Sequence, residues 1–339
     1  MARDELINRL LKSDNPSVRW KLRVGVLDDD PKSRAVKKIQ DEIRASPMVK
    51  ALLAKRGKTG TIKTKRDVYS PWQGAHWVFA ALGDIGYPAG DESLVPLRGQ
   101  VFAHWLSEMF YTEFEAKTRE AAYKGHHHGV PVMQGRHRRC ASQQGNALLS
   151  AARLGLLDSD ADRLVERLLH WQWPDGGWNC DKDPKADTSS FMESMLPMQA
   201  LALYGDARKK PAAKKAARKA ADVFLTRKLF KRRSNGAIIQ ADFTHLHYPL
   251  YWHYDILGGL KAMAALGLAE EKRCADALDL LEEKELKDGG WAVEARYYKP
   301  SAAQASGADY VDWGAASKTK LNEWVTADAL SVLRAAGRI

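Results

Sequence analysis

Three stretches of this chain gather side chains that could do chemistry. THLHYPLYWHYD holds His245, His247 and His253, with Tyr248, Tyr251, Trp252, Tyr254 and Asp255 among them. His253 and Asp255 are spaced to act as a general acid and base pair, or to hold a polar ligand group. GHHHGVPVMQGRHRRC holds His126, His127, His128 and His137, with Cys140 three residues beyond His137. H-x-x-C and H-x-H are fragments of metal sites, so a metal on His126, His128 and His137 is the cation site to consider, against hydrogen-bonded rim histidines as the plainer reading. Arg136, Arg138 and Arg139 lie just ahead of an expected helix start, where guanidinium groups and the helix dipole favour an anion; a solvated basic loop is the alternative. NCDKDPKADTSSF groups the carboxylates of Asp181, Asp183 and Asp187. No GxSxG, P-loop or GxGxxG occurs, so neither a hydrolase elbow nor a nucleotide cofactor is expected.

Helices must position these residues. Gln144, Leu148, Leu149, Ala152 and Leu156 share one face at helical spacing, and strand-like alternation of β-branched residues is nearly absent. Five segments repeat one plan of small or polar start, apolar helix and glycine stop: 72–88, 141–158, 187–206, 253–270 and 322–337. A sixth, 17–28, follows the turn Asp14-Asn15-Pro16 and lacks the closing glycine. More polar helical stretches fall between them, at about 3–12, 32–55, 92–120, 159–172, 208–231 and 270–286. The alternation predicts an all-α fold in which six outer helices wrap six inner ones as an (α/α)6 toroid, with an open helical solenoid as the alternative. Trp72, His76, Tyr254 and Trp324 stand near inner-helix starts, which predicts an aromatic mouth. One domain over 1–339 is expected. The Gly- and Lys-rich stretch near 56–70 is the only boundary on offer; it would set 1–66 apart as a semi-separate, HEAT-like pair of hairpins.

QWPDGGW (Gln172–Trp178) and ELKDGGW (Glu285–Trp291) each end an outer helix. Their physical reading is a turn in which the glycines take up conformations closed to side chains, the Trp returns to seal the hairpin, and Gln172 is placed to bond the following helix. This punctuation resembles the QW repeats of squalene and hopene cyclases and of protein prenyltransferase β subunits, most strongly over 140–337. The resemblance implies an α/α toroid with an aromatic cavity for an apolar, isoprenoid-type ligand, with Trp178, Tyr254, Trp291 and Trp324 as wall or cation-stabilising residues. If the chain is catalytic, it implies acid-initiated cyclisation or transfer with Asp181, Asp183 or Asp187 as the acid. Each family device is incomplete here. Pro184 stands where the cyclase DxDD motif has its last Asp, and Asp187 is placed to cap the next helix. Asp28-Asp29-Asp30 lacks the last carboxylate of DDxxD. Ser189 replaces the zinc-binding cysteine of the prenyltransferases, so no zinc is expected there.

The chain has 339 residues and a formal charge of +11. Residues 31–66 and 209–233 each carry a net +10, which leaves the remainder acidic. Either stretch could hold nucleic acid or another polyanion, which makes a non-catalytic scaffold the second functional reading; a solvated helix face is the plain alternative. A third reading is a polysaccharide lyase or glycosidase on the same toroid, with His253, Tyr254 and Arg139 as its working residues. Cys140, Cys180 and Cys274 are far apart in sequence, which argues against a disulfide framework or a cysteine-built zinc site. Without a leader-like N-terminus or a long apolar run, no transmembrane segment and a cytoplasmic location are expected.

Overall fold

A computed structural model describes residues 3–64, 68–70, 72–125 and 128–339. The expected helix class holds: fourteen α-helices carry the described residues, and strands are few and short. Six helices are the less polar ones: α2 (Pro16–Gly25), α5 (Ala75–Asp84), α8 (Ala141–Arg153), α10 (Phe191–Ala207), α12 (Ile256–Ala265) and α14 (Glu323–Ala335). The others are α1 (Arg3–Leu10), α3 (Arg34–Ala45), α4 (Pro47–Leu53), α6 (Val95–Trp105), α7 (Arg119–Gly125), α9 (Ser159–His170), α11 (Pro211–Leu225) and α13 (Ala275–Glu283). Every expected segment therefore contains a helix. The stretch 92–120 is broken, because after α6 the chain enters a small sheet of β1 (Glu113–Glu115), parallel to β2 (Val130–Met133), which pairs antiparallel with β3 (Arg136–His137). A second pair, β4 (Lys299–Pro300) and β5 (Ala308–Asp309), is parallel.

Helix starts follow from their caps. Asn15 accepts from the Ser17 amide ahead of α2, Asp255 from that of Gly258 in α12, and Asn322 from those of Trp324 and Val325 in α14. Glycine stops are confirmed at Gly155, Gly267 and Gly337, whose φ angles of 66°, 67° and 64° are left-handed. In two places the stop moves: Gly86 rather than Gly83 ends α5, and Gly205 lies within α10, where Lys209 takes the left-handed turn.

Burial separates the two sets. Helix α8 is buried continuously from Ala141 to Ala151, whereas α11 buries Ala213, Ala217, Ala220 and Phe224 and turns its lysines outward. Neighbouring contacts run from α5 to α8, α10, α12 and α14, and then from α14 to α2; α3, α6, α9, α11 and α13 back α2, α5, α8, α10 and α12. Helices α8 and α10 cross at Gly145 and Pro197. A Cβ on Gly145 would lie 2.5 Å from the Pro197 nitrogen, so only glycine allows this approach. Leu6, Leu10, Val18 and Leu22 share one buried cluster with Leu260, Val325 and Leu330, so the N-terminal hairpins pack into the common core.

Candidate functional site

The less polar helices are apolar along most of their length, yet five of them bear a charged residue on the side facing their neighbours. Lys21 of α2 lies 2.9 Å from Asp328 of α14 and 3.6 Å from Asp84 at the end of α5. Lys261 of α12 reaches Asp328 at 2.5 Å and Asp84 at 3.9 Å. Arg153 of α8 contacts Asp84 at 3.3 Å, and the Tyr248 hydroxyl donates to Asp84 Oδ2 at 3.0 Å. Three cations thus surround two carboxylates. Burial alone would raise the pKa of Asp84, but Lys21, Lys261 and Arg153 hold its carboxyl well below the usual range. Lys261 is shifted upward: Asp328 and Asp84 outweigh its desolvation.

Above this network is a cavity of about 110 Å³. Asp84, Arg153, Lys261 and Asp328 form its polar floor, while Trp77, Leu149, Met195, Leu196, Leu257, Tyr251 and Trp313 supply apolar wall. Two wall residues share one anchor, since the Tyr251 hydroxyl and the Trp313 indole both donate to Asp309 Oδ2. Tyr251 also stacks on Trp72 with ring centroids 4.0 Å apart. These contacts hold Tyr251 at φ 53°, a left-handed conformation that costs a bulky residue about 1–3 kcal/mol.

His247 also lines the cavity. Its backbone amide donates to Asp255 Oδ2 at 2.8 Å, and its Nδ1 lies 3.4 Å from the same oxygen. Its ring stacks on Tyr297, which stacks in turn on His253 and through it on Trp252. The imidazole beside Asp255 is therefore that of His247. His253 bonds the Leu250 carbonyl, and burial lowers its pKa to about 4. This corrects the expected His253–Asp255 pair: Asp255 is consumed by capping α12 and holding the His247 backbone.

No family model and no curated protein matches the chain.

The other expected site residues divide into near misses and scaffold. Asp181, Asp183 and Asp187 are exposed and absent from the cavity wall. Asp181 and Asp183 accept the amides two residues ahead at 2.9 Å, and Asp187 accepts from the Thr188 hydroxyl; they shape a surface loop rather than present an acid. Nor does Asp187 cap α10, whose cap position is Ser190. Trp178 and Trp291 are sealed between layers: their indoles donate to the Leu168 and Leu281 carbonyls at 2.9 and 2.7 Å, and their amides to the Ser194 and Thr326 hydroxyls. Gln172 donates to Ala216 O of α11 at 2.9 Å rather than to α10, the helix that follows the turn. Tyr254 is buried against Phe191, Phe224 and Phe243 with its hydroxyl on Leu229 O, remote from any role with Arg139 and His253 as a lyase centre. Arg139 stacks on Phe110 and Arg136 lies over Trp173, both away from the cavity. Trp72, Trp324 and His76 sit one layer behind the wall. Trp324 stacks on Tyr248; His76 accepts from the Trp105 indole, and burial pushes its pKa down to about 3.

Of the expected metal set, His126 lies outside the described residues and His128 is exposed. His137 instead joins Glu113 and His170: Glu113 receives His137 at 3.2 Å and His170 at 2.9 Å. The basic stretch 209–233 exposes Lys209, Lys210, Lys214, Lys215, Arg218 and Lys219; the end of 31–66 lies outside the described residues. Among the described residues, no helix is long and apolar enough to cross a membrane. Some of the missed residues did leave a signal: Asp84 and Lys261 are isolated charges in the otherwise apolar helical runs AHWVFAALGD and ILGGLKAMAA, whereas Lys21 is hidden between Arg19 and Arg23.

Proposed function

We propose that the chain is a single-domain (α/α)6 toroid of the squalene cyclase-like type whose central cavity binds an apolar, isoprenoid-type ligand bearing an acidic end group. The neighbour-to-neighbour contacts of the less polar helices, with α14 returning to α2, support the ring. The observation that carries the ligand class is the cavity itself: aromatic and aliphatic walls lead to a floor where Lys261 and Arg153 accompany Asp84 and Asp328. The floor itself balances two cations with two carboxylates; Lys21, paired with Asp328 but outside the cavity lining, tips the network to one positive charge in excess, which favours an anion. Binding is the function this geometry supports best. Proton-initiated cyclisation would need a carboxyl kept protonated, whereas the surroundings of Asp84 hold it ionised.

3-Methylbut-2-enoic acid and 3-methylbut-2-en-1-ol, five-carbon isoprenoid-type compounds that suit a cavity of about 110 Å³, separate the two halves of this reading. A ligand present at 100 times its Kd stabilises the folded state by about 2.7 kcal/mol, so the acid is expected to raise Tm by about 4 °C and the alcohol by less. Lys261→Met should abolish the difference between them, and Leu149→Trp, which fills the cavity, should abolish both shifts. If neither compound moves Tm, or if Leu149→Trp retains the response, the cavity is not the binding site.

A further inference from the structure

We infer that Cys140, Cys180 and Glu193 form a binding site for a thiophilic divalent cation, zinc above all. Cys140 immediately precedes α8, Glu193 lies in the first turn of α10, and Cys180 follows Trp178 in the loop between α9 and α10. The two Sγ atoms and a Glu193 oxygen all lie within 4.8 Å of one another. Tetrahedral zinc, with bonds of about 2.3 Å to sulfur and about 2.0 Å to oxygen, sets its ligands roughly 3.5–3.8 Å apart. Cys180 Sγ already stands 3.3 Å from Glu193 Oε1, so loading the site takes little more than side-chain rotation.

The surroundings are those of a prepared carboxylate. Glu193 is 7% exposed, and its partners among the described residues are Ser142 and the two thiols rather than a lysine, arginine or histidine. The Ser142 amide donates to Oε2 at 3.0 Å and leaves Oε1 directed at the sulfurs, which is how outer-sphere donors orient a ligand. Trp178 and its bond to Leu168 fix the loop that carries Cys180. On binding, two S–H bonds give way to two metal–sulfur bonds, both protons leave to solvent, and one carboxylate oxygen supplies the third bond. The three ligands bring three negative charges against two on the cation; the Arg139 guanidinium, within electrostatic reach of both thiols, balances the remainder. Two sulfurs and one oxygen select zinc or iron(II) over magnesium or calcium, and three protein ligands leave a fourth position open. Both cysteines are only partly buried, so a cation has access. This inference does not depend on the cavity reading.

Cobalt(II) titration of the chelator-treated, reduced full chain tests it. One equivalent should bring up thiolate-to-cobalt charge transfer together with the visible bands of tetrahedral cobalt. Cys140→Ser and Cys180→Ser should each weaken binding by roughly 100-fold or more, Glu193→Gln by less, and Cys274→Ser not at all. Zinc protection of Cys140 and Cys180 from alkylation in the unmutated chain, with Cys274 as reference, gives the same answer if a variant fails to fold. Binding without the thiolate band, binding lost on His170→Ala but kept in the cysteine variants, or isolation of the chain with a Cys140–Cys180 disulfide that reduction does not convert to metal binding would each overturn the assignment.

Discussion

Replacing Asp328 by Asn keeps its shape and removes its charge. Lys21, whose side chain is 7% exposed, then loses its partner at 2.9 Å and keeps only Asp84 at 3.6 Å; Lys261 loses its contact at 2.5 Å and keeps Asp84 at 3.9 Å. Removing one member of a buried ion pair costs about 3–5 kcal/mol. Because Asp84 still serves both lysines, the lower end applies, about 3 kcal/mol. At about 2.1 cal/mol/K per residue, a chain of 339 residues unfolds with an entropy of about 0.7 kcal/mol/K, so Tm should fall by about 4 °C. Urea titration and calorimetry measure this, and Lys21→Met with the double variant closes a cycle. The double variant should recover at least about 1.5 kcal/mol relative to the sum of the single changes, since the uncompensated Lys21 ammonium is gone. A cost for Asp328→Asn below about 1 kcal/mol, or single effects that simply add, would refute the claim that α2 and α14 are joined by a buried charge network.

Trp178→Phe and Trp291→Phe should each cost about 1–3 kcal/mol in urea denaturation, by leaving the buried Leu168 or Leu281 carbonyl unpaired, and neither should change ligand affinity; a change in affinity would return these tryptophans to the ligand wall. Acid sensitivity should depend on His76. Its folded pKa of about 3 lies below the unfolded 6.5, so the unfolded chain binds the extra proton as pH falls, and between pH 7 and pH 5 about 2 kcal/mol of stability is lost. His76→Gln should remove that share of the loss, and urea midpoints at the two pH values with equal slopes for both proteins would contradict it.

The scaffold was legible because it is periodic. Six apolar helical runs and two DGGW turns announce themselves locally, and the matched bonds of Trp178 and Trp291 show why the turn recurs. The site was less legible because its members are single residues drawn from separate helices: Lys21 and Asp328 are 307 positions apart and meet only after folding. Asp181, Asp183 and Asp187 drew attention by clustering in sequence, yet short-range bonding to the backbone explains their grouping. His253 and His247 illustrate a similar limit, since His253 is two residues from Asp255 in sequence yet the imidazole beside Asp255 is that of His247, eight residues away. Wide separation of Cys140 and Cys180 argued against a cysteine-built cation site, but the loop fixed by Trp178 sets them side by side.

The contact between α2 and α14 also governs the order of assembly. A nascent chain can stack its hairpins as they emerge, yet α2 presents an unsatisfied apolar flank and the Lys21 ammonium until the last helix has been made. Contacts spanning so much sequence form late and slowly, and the waiting surface is one that other chains can stick to. The surface of α2 that α14 covers therefore stays exposed until α14 has been synthesised.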